Sequence, residues 1–164
     1  MGGMDLPSFD VPGFLDEPGR PASVATVTGK GLPALAMMWF SVAEDRLWFH
    51  TPGGGDIPSP FLRAAAANRD VAVMIATFDP PDDVRQVRMT GPARLEARDD
   101  GRVRRLYGRY VSTWTPTWEK QAMSADYHLW SMSPQRGMAV AYPGLNDGPA
   151  FRWSDPWRLS DQPR

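Results

Sequence analysis

Apolar and polar residues alternate in short runs along most of this chain. Ser23-Val-Ala-Thr-Val-Thr28 is rich in β-branched residues and stops at the turn signal Gly29-Lys30-Gly31, so it predicts a strand. Ala34 to Phe40 predicts a second strand. Leu47-Trp-Phe-His-Thr51 predicts a third, after the polar turn Glu44-Asp45-Arg46. Tight turns between runs of this length predict an antiparallel meander. Val71 to Phe78 is apolar on both faces, the pattern of a strand in a barrel or an interface. Arg85 to Glu96 predicts a fifth strand, with a bulge or an edge at Gly91-Pro92. Tyr127 to Ser133 and Met138 to Tyr142 predict two late strands.

The helical signals are fewer. Ser59 can cap a helix that has Pro60 in its first position and runs through four alanines to about Asn68. Asp99 and Asp100 open the strongest helix, in which Val103, Leu106, Tyr107, Tyr110 and Val111 make one apolar stripe. A short helix is expected from Pro116 to Ser124. Residues 1–20 read as a Pro/Gly-rich arm with one helical turn, residues 21–142 as the domain, and residues 143–164 as a tail packing on the domain or a partner copy. Closing such short strands into a full or partial barrel removes their edges.

Composition narrows the chemistry. The 164 residues carry 18 basic and 19 acidic side chains, so no general attraction to nucleic acid or an anionic membrane is expected. The absence of cysteine excludes disulfides, thiolate metal sites and cysteine nucleophiles. His50 and His128 cannot build a three-histidine metal site, and no metal site is expected. Seven Trp and nine Met let a core form from few residues. No basic-apolar leader and no long apolar window are visible, which makes the cytoplasm the expected location. Phosphate loops, dinucleotide fingerprints and a serine elbow are all missing. The cluster Arg102, Arg104, Arg105 and Arg109 reads as a solvated helix face.

The order of the segments resembles the pyridoxamine 5'-phosphate oxidase-like FMN-binding split barrels, over about residues 20–142. Gly19-Arg-Pro-Ala-Ser-Val-Ala-Thr-Val27 resembles the family's first strand. Leu47 to Thr51 is similar to the strand that ends in a hydroxyl residue at the flavin. Ser59 to Val71 resembles the family's helix segment, and Arg85-Gln-Val-Arg-Met-Thr-Gly-Pro92 is close to a segment of the oxidases themselves. The resemblance implies a mainly β fold, a six- to seven-stranded antiparallel split β-barrel of Greek-key type with two to three helices. It also implies a homodimer with FMN at the interface, its ring on the second strand.

Carried over residue by residue, the resemblance puts Met37, Met38 and Trp39 under the ring and His50 beside it. Thr51 and Ser59 keep the hydroxyl donors for the phosphate, and Gln86 matches a flavin-contacting glutamine. Three cations are missing: Ala36 and Ser41 stand where the oxidases have Arg and Lys, and Phe61 stands at the helix lysine. Arg63, Arg85 and Arg88 are the candidates to replace them. The C-terminal Arg-x-His that holds pyridoxyl phosphate is also missing, which argues against oxidation of pyridoxamine phosphate. Plainer readings stand beside these: His50 as a cross-strand hydrogen bonder, His128 as structural, Met37-Met38 as core. Two functions follow, a flavin oxidoreductase of unknown substrate and a non-catalytic split-barrel binding module with a degenerate or altered cofactor site. No catalytic side chain is assigned.

Overall fold

Antiparallel pairing joins the runs expected as strands. The computed structural model describes residues 10–141 and 151–154. Its elements are α1 (Val11–Asp16), β1 (Ala22–Val27), β2 (Pro33–Met38), β3 (Ser41–Ala43), β4 (Arg46–Pro52), α2 (Pro60–Ala66) and β5 (Asp70–Ala76). There follow β6 (Arg85–Leu95), α3 (Asp100–Gly108), α4 (Pro116–Ala122), β7 (Tyr127–Met132), β8 (Arg136–Ala141) and β9 (Phe151–Trp153). The strands form one curled antiparallel sheet in the order β2-β1-β5-β6-β7-β4-β3, with β8 added on β6 and β9 on β8. This half-barrel is the expected mainly β architecture, with two short strands and one helix more than the pattern announced. The rest of the tail, with Trp157, lies outside the described residues.

Several boundaries have clear causes. Thr28 and Gly31 close the first hairpin, in which β1 pairs with β2 from Ala22↔Met38 to Val27↔Pro33. The turn between β3 and β4 holds Glu44 and Asp45 at φ 54° and 56°, the mirror-image turn that suits the twist of a hairpin. Side-chain caps start the helices: Ser59 accepts from Leu62 N, Asp99 from Arg102 N and Thr115 from Trp118 N.

One expectation is corrected. Gly91-Pro92 is neither a bulge nor an edge. β6 runs on through it, paired to β5 on one side, while its other side passes from β8 (Arg85 to Thr90) to β7 (Ala93 to Leu95). Ser133 N donates to Pro92 O at 3.0 Å at this handover. A Cβ on Gly91 would stand 1.7 Å from Ser133 O, so the crossing strand comes too close for any side chain. Within one chain the Val71–Phe78 run buries a single face: Val71, Val73 and Ile75 point into the core of the half-barrel, whereas Met74 is partly exposed and Phe78 lies beyond the strand end, exposed. Its second apolar face is the outer surface of the sheet, which the described residues leave largely uncovered.

The inner face of the sheet packs on Phe40, Phe49, Ile75, Val87, Trp130 and Met132. Phe61, Ala64 and Ala65 of α2 and Val11, Phe14 and Leu15 of α1 close this cluster. A second cluster lies under α3 and α4, where Trp48, Val103, Leu106, Tyr107, Ala122 and Leu129 meet. The α3 arginines are not simply solvated: Arg102 lies over the Trp48 ring at 3.7 Å, and Arg109 donates to Leu15 O. Guanidiniums cover aromatic faces and cap carbonyls while keeping their charge near water.

Candidate functional site

A groove of about 570 Å³ opens between the end of β2, the end of β4, the start of α2, and α3 with α4. Met37, Met38, Trp39, His50, Thr51 and Ser59, all expected at a site, line it together. Their convergence follows from topology. β4 pairs with β7 through Thr51↔His128, the loop after Pro52 turns back, and Ser59 starts the helix over the barrel end. Gly54 at φ 89° makes that return possible, since a Cβ there would meet Ile57 O at 2.1 Å.

The remaining expected residues lie elsewhere. Arg63 is exposed on α2, away from the groove. Arg85 is bound by Asp83 and Glu17, and its guanidinium covers the Phe14 ring at 4.8 Å. Gln86 sits within β6 between Ala76 and Val140. Arg88 lines a second groove of about 570 Å³ on the outer face of the sheet, with Leu35, Met74, Arg136, Arg152 and Trp153. None of these replaces, within this chain's first groove, the cations lost at Ala36, Ser41 and Phe61.

Physical reasons for that loss are visible. Phe61 is buried and stacks on Trp130 at 6.5 Å, in a column continued by Phe49 at 4.5 Å. Thr51 Oγ1 accepts from Trp130 Nε1 at 2.8 Å, satisfying a fully buried indole N–H. Ser59 Oγ accepts from Leu62 N at 3.4 Å as the helix cap. Both hydroxyls therefore have structural partners in addition to facing the groove. Where a phosphate grip was expected, the chain has an aromatic column.

The opposite wall was not foreseen. Tyr107, Trp118, Gln121 and Tyr127 line it, with Trp39 between them and the sheet. Trp39 stacks on Tyr110 (4.8 Å, 4°), and the Tyr110 hydroxyl donates to Arg20 O and accepts from Phe40 N. Tyr107 meets Trp39 edge-on at 5.5 Å. The stripe of α3 announced Tyr107 and Tyr110 as buried, but periodicity does not say what a buried face looks onto. His50 Nδ1 and the Tyr107 hydroxyl lie 3.1 Å apart. Burial first, and then the charges of Arg98 and His128, push the His50 imidazole down to about 4, so it is neutral at ordinary pH. Burial also raises the Tyr107 phenol. Behind His50 and Tyr127 is a separate crevice of about 170 Å³, where Glu96, Arg98, Asp99, Asp100 and His128 gather.

An antiparallel half-barrel with an uncharged groove at the end of its second strand defines a class, and comparison with known proteins agrees. The family profile of pyridoxamine 5'-phosphate oxidase matches residues 14–141, and the chain belongs to that family. Among solved structures it is similar to a conserved hypothetical protein of Mycobacterium tuberculosis (TM-score 0.65, 19% identity, 84% of this chain and 86% of that one). The heme storage protein HutZ of Vibrio cholerae is similar too (TM-score 0.61, 15% identity, 80% and 92%). So is an F420 reductase (TM-score 0.55, 24% identity, 75% and 92%). These likenesses are of fold. A search of curated proteins gives no match. Among the described residues no helix is long and apolar enough to cross a membrane.

Proposed function

We propose that this protein is a flavin-binding oxidoreductase that does not act on pyridoxamine phosphate. The observation that carries the reading is the groove at the end of β2, whose lining is apolar and aromatic with a few hydroxyl and amide groups. That composition suits a planar heteroaromatic ring. Met37, Met38 and Trp39 would underlie the ring, and Thr51 and Ser59 would lie towards its ribityl side. A bound flavin supplies hydride or electron transfer. The chain's own part is to hold the ring and exclude water, for which Phe61, Leu106 and Trp118 are suited. The lining of the groove suits the ring, whereas no cation among the described residues lines it to meet the phosphate. Family membership and the similarity to an F420 reductase support a flavin-type ligand without choosing FMN.

The same reading includes a homodimer. In the resembling family the flavin lies between two copies. Gln86 and Arg88, remote from their own chain's groove, could reach a flavin only in a neighbouring copy. The second reading, a binding module without redox chemistry, is favoured by Phe61, whose burial in the aromatic column removes the helix cation.

The protein is mixed with FMN, passed through gel filtration and examined by visible spectroscopy, and pyridoxal phosphate release from pyridoxamine phosphate is assayed in parallel. Retained flavin bands with no pyridoxal phosphate are expected. A colourless protein favours the binding module. Efficient pyridoxal phosphate formation overturns the exclusion of that substrate.

A further inference from the structure

We infer that the α3–α4 side of the groove is a subsite for a neutral aromatic molecule bearing a hydrogen-bonding oxygen, recognised by the Tyr107–His50 pair. This deepens the flavin reading by naming what would lie beside the ring, yet the subsite consists of this chain's residues alone. Three observations carry it.

The first is the wall itself. Trp39, His50, Tyr107, Trp118 and Tyr127 are all aromatic, and Gln121 adds a neutral amide. Trp39 is fixed by its stack on Tyr110 and its edge contact with Tyr107, and Trp118 leans on it at 5.4 Å. Rings held by one another keep their faces in place, and a planar guest gains offset-stacked or edge contacts at small entropic cost.

The second is where the charges go. Among the described residues no Asp, Glu, Lys or Arg lines this groove, and its histidine, His50, is held neutral chiefly by burial. Glu96, Arg98, Asp99, Asp100 and His128 lie in the crevice behind His50 and Tyr127. On α3 and α4, Arg104 pairs with Glu119, Arg102 with Glu44 and Asp99, and Arg109 with Asp16. An anionic guest would lose its hydration and find no cation.

The third is the polar end. The Tyr107 hydroxyl stands 3.1 Å from His50 Nδ1, and the Gln121 amide lines the same wall of the groove. A hydroxyl donates one proton and accepts through two lone pairs. The pair can thus accept from a guest hydroxyl or, by turning the tyrosine proton, donate to a guest oxygen. A guest without a polar atom leaves this end unused, so the pair discriminates by the oxygen.

The test uses the full chain, with and without FMN, and three probes of one shape: 2-naphthol, 2-methylnaphthalene and 2-naphthoate. Binding is followed by tryptophan fluorescence and calorimetry at pH 7. The expected order is 2-naphthol, then 2-methylnaphthalene, with 2-naphthoate at least tenfold weaker than the naphthol. Tyr107→Phe should weaken 2-naphthol about three- to tenfold and leave 2-methylnaphthalene unchanged. Trp118→Leu, on the more exposed wall, should weaken both neutral probes and covers the case in which the tyrosine variant does not fold. Equal binding of the naphthoate, or an equal loss of both neutral probes in Tyr107→Phe, overturns the proposal. Naphthol binding by protein that retains no FMN upholds the subsite while the flavin reading fails. FMN retention without naphthol binding has the opposite meaning.

Discussion

At the scale of single residues, His50 gives the clearest measurable consequence. Its imidazole takes a proton near pH 6.5 when unfolded but only near 4 in the folded protein. Between these values the unfolded chain binds more protons, so acidification favours unfolding. The stability that belongs to the neutral ring is complete above pH 6.5 and fades as pH falls towards 4. Each unit of depression corresponds to about 1.4 kcal/mol at most, reduced by solvent screening because the ring is only partly buried. Glu17 and Asp83, held low chiefly by their hydrogen bonds to Arg85, weaken only as pH falls through the carboxylate range and below it, and do so whatever occupies position 50. Melting temperatures measured from pH 7 to 4 should therefore fall more steeply for the natural protein than for His50→Gln, which can still bond the Tyr107 hydroxyl. Parallel curves would mean that the histidine is not held neutral. Thr51 carries a different lesson. The sequence marks it as a hydroxyl at the end of a strand, and only the structure reveals that Trp130 already claims its oxygen.

The elements explain what was legible and what was not. α1 is six residues long in a Pro/Gly-rich segment, and it reads as an arm. It nevertheless buries Val11, Phe14 and Leu15 almost completely. Arg20 and Arg85 cover the Phe14 ring at 4.7 and 4.8 Å, and Glu17 joins both guanidiniums. Phe14→Ala should cost about 3–5 kcal/mol, the usual range for a buried phenylalanine. Chemical denaturation checks this, and a loss below about 1 kcal/mol would show that α1 is not part of the core. Longer elements announced themselves because periodicity accumulates along them: the strands from Ser23 to Thr51, the stripe of α3, the capped starts at Ser59 and Asp99. β3, with three residues, is too short for alternation to register. Gly91-Pro92 looked like a break because local chemistry cannot reveal that Ser133 crosses there. The groove was legible in part for the same reason. Met37 to Trp39, His50, Thr51 and Ser59 lie on elements whose order matches the family, whereas Tyr107, Trp118 and Tyr127 reach the groove only through the packing of α3 and α4 on β4 and β7.

At the scale of the whole molecule, the described residues leave the outer face of the sheet apolar and uncovered, which supports the proposed dimer. Leu35 and Met37 on the outer side of β2 are 74% and 72% exposed, and Met74 on β5 is partly exposed across Ser23 of β1 from Met37. β2 is also the edge of the main sheet path. A contiguous patch of this kind on a monomer favours association, and a self-complementary patch closes in a twofold dimer. Met37 belongs to the first groove and Leu35 to the second, so a copy seated on this face would lie against both. Light scattering coupled to gel filtration should give twice the 18.2 kDa of one chain at micromolar concentration. Leu35→Asp and Met74→Glu put unpaired charges into the contact and should shift the mass towards one chain while the fold, followed by circular dichroism, persists. If the grooves are completed by the second copy, FMN retention should fall in step with the dimer fraction across these variants. A natural protein with the mass of a single chain at micromolar concentration would reject the dimer, and flavin binding that ignores its loss would place the whole site within one chain.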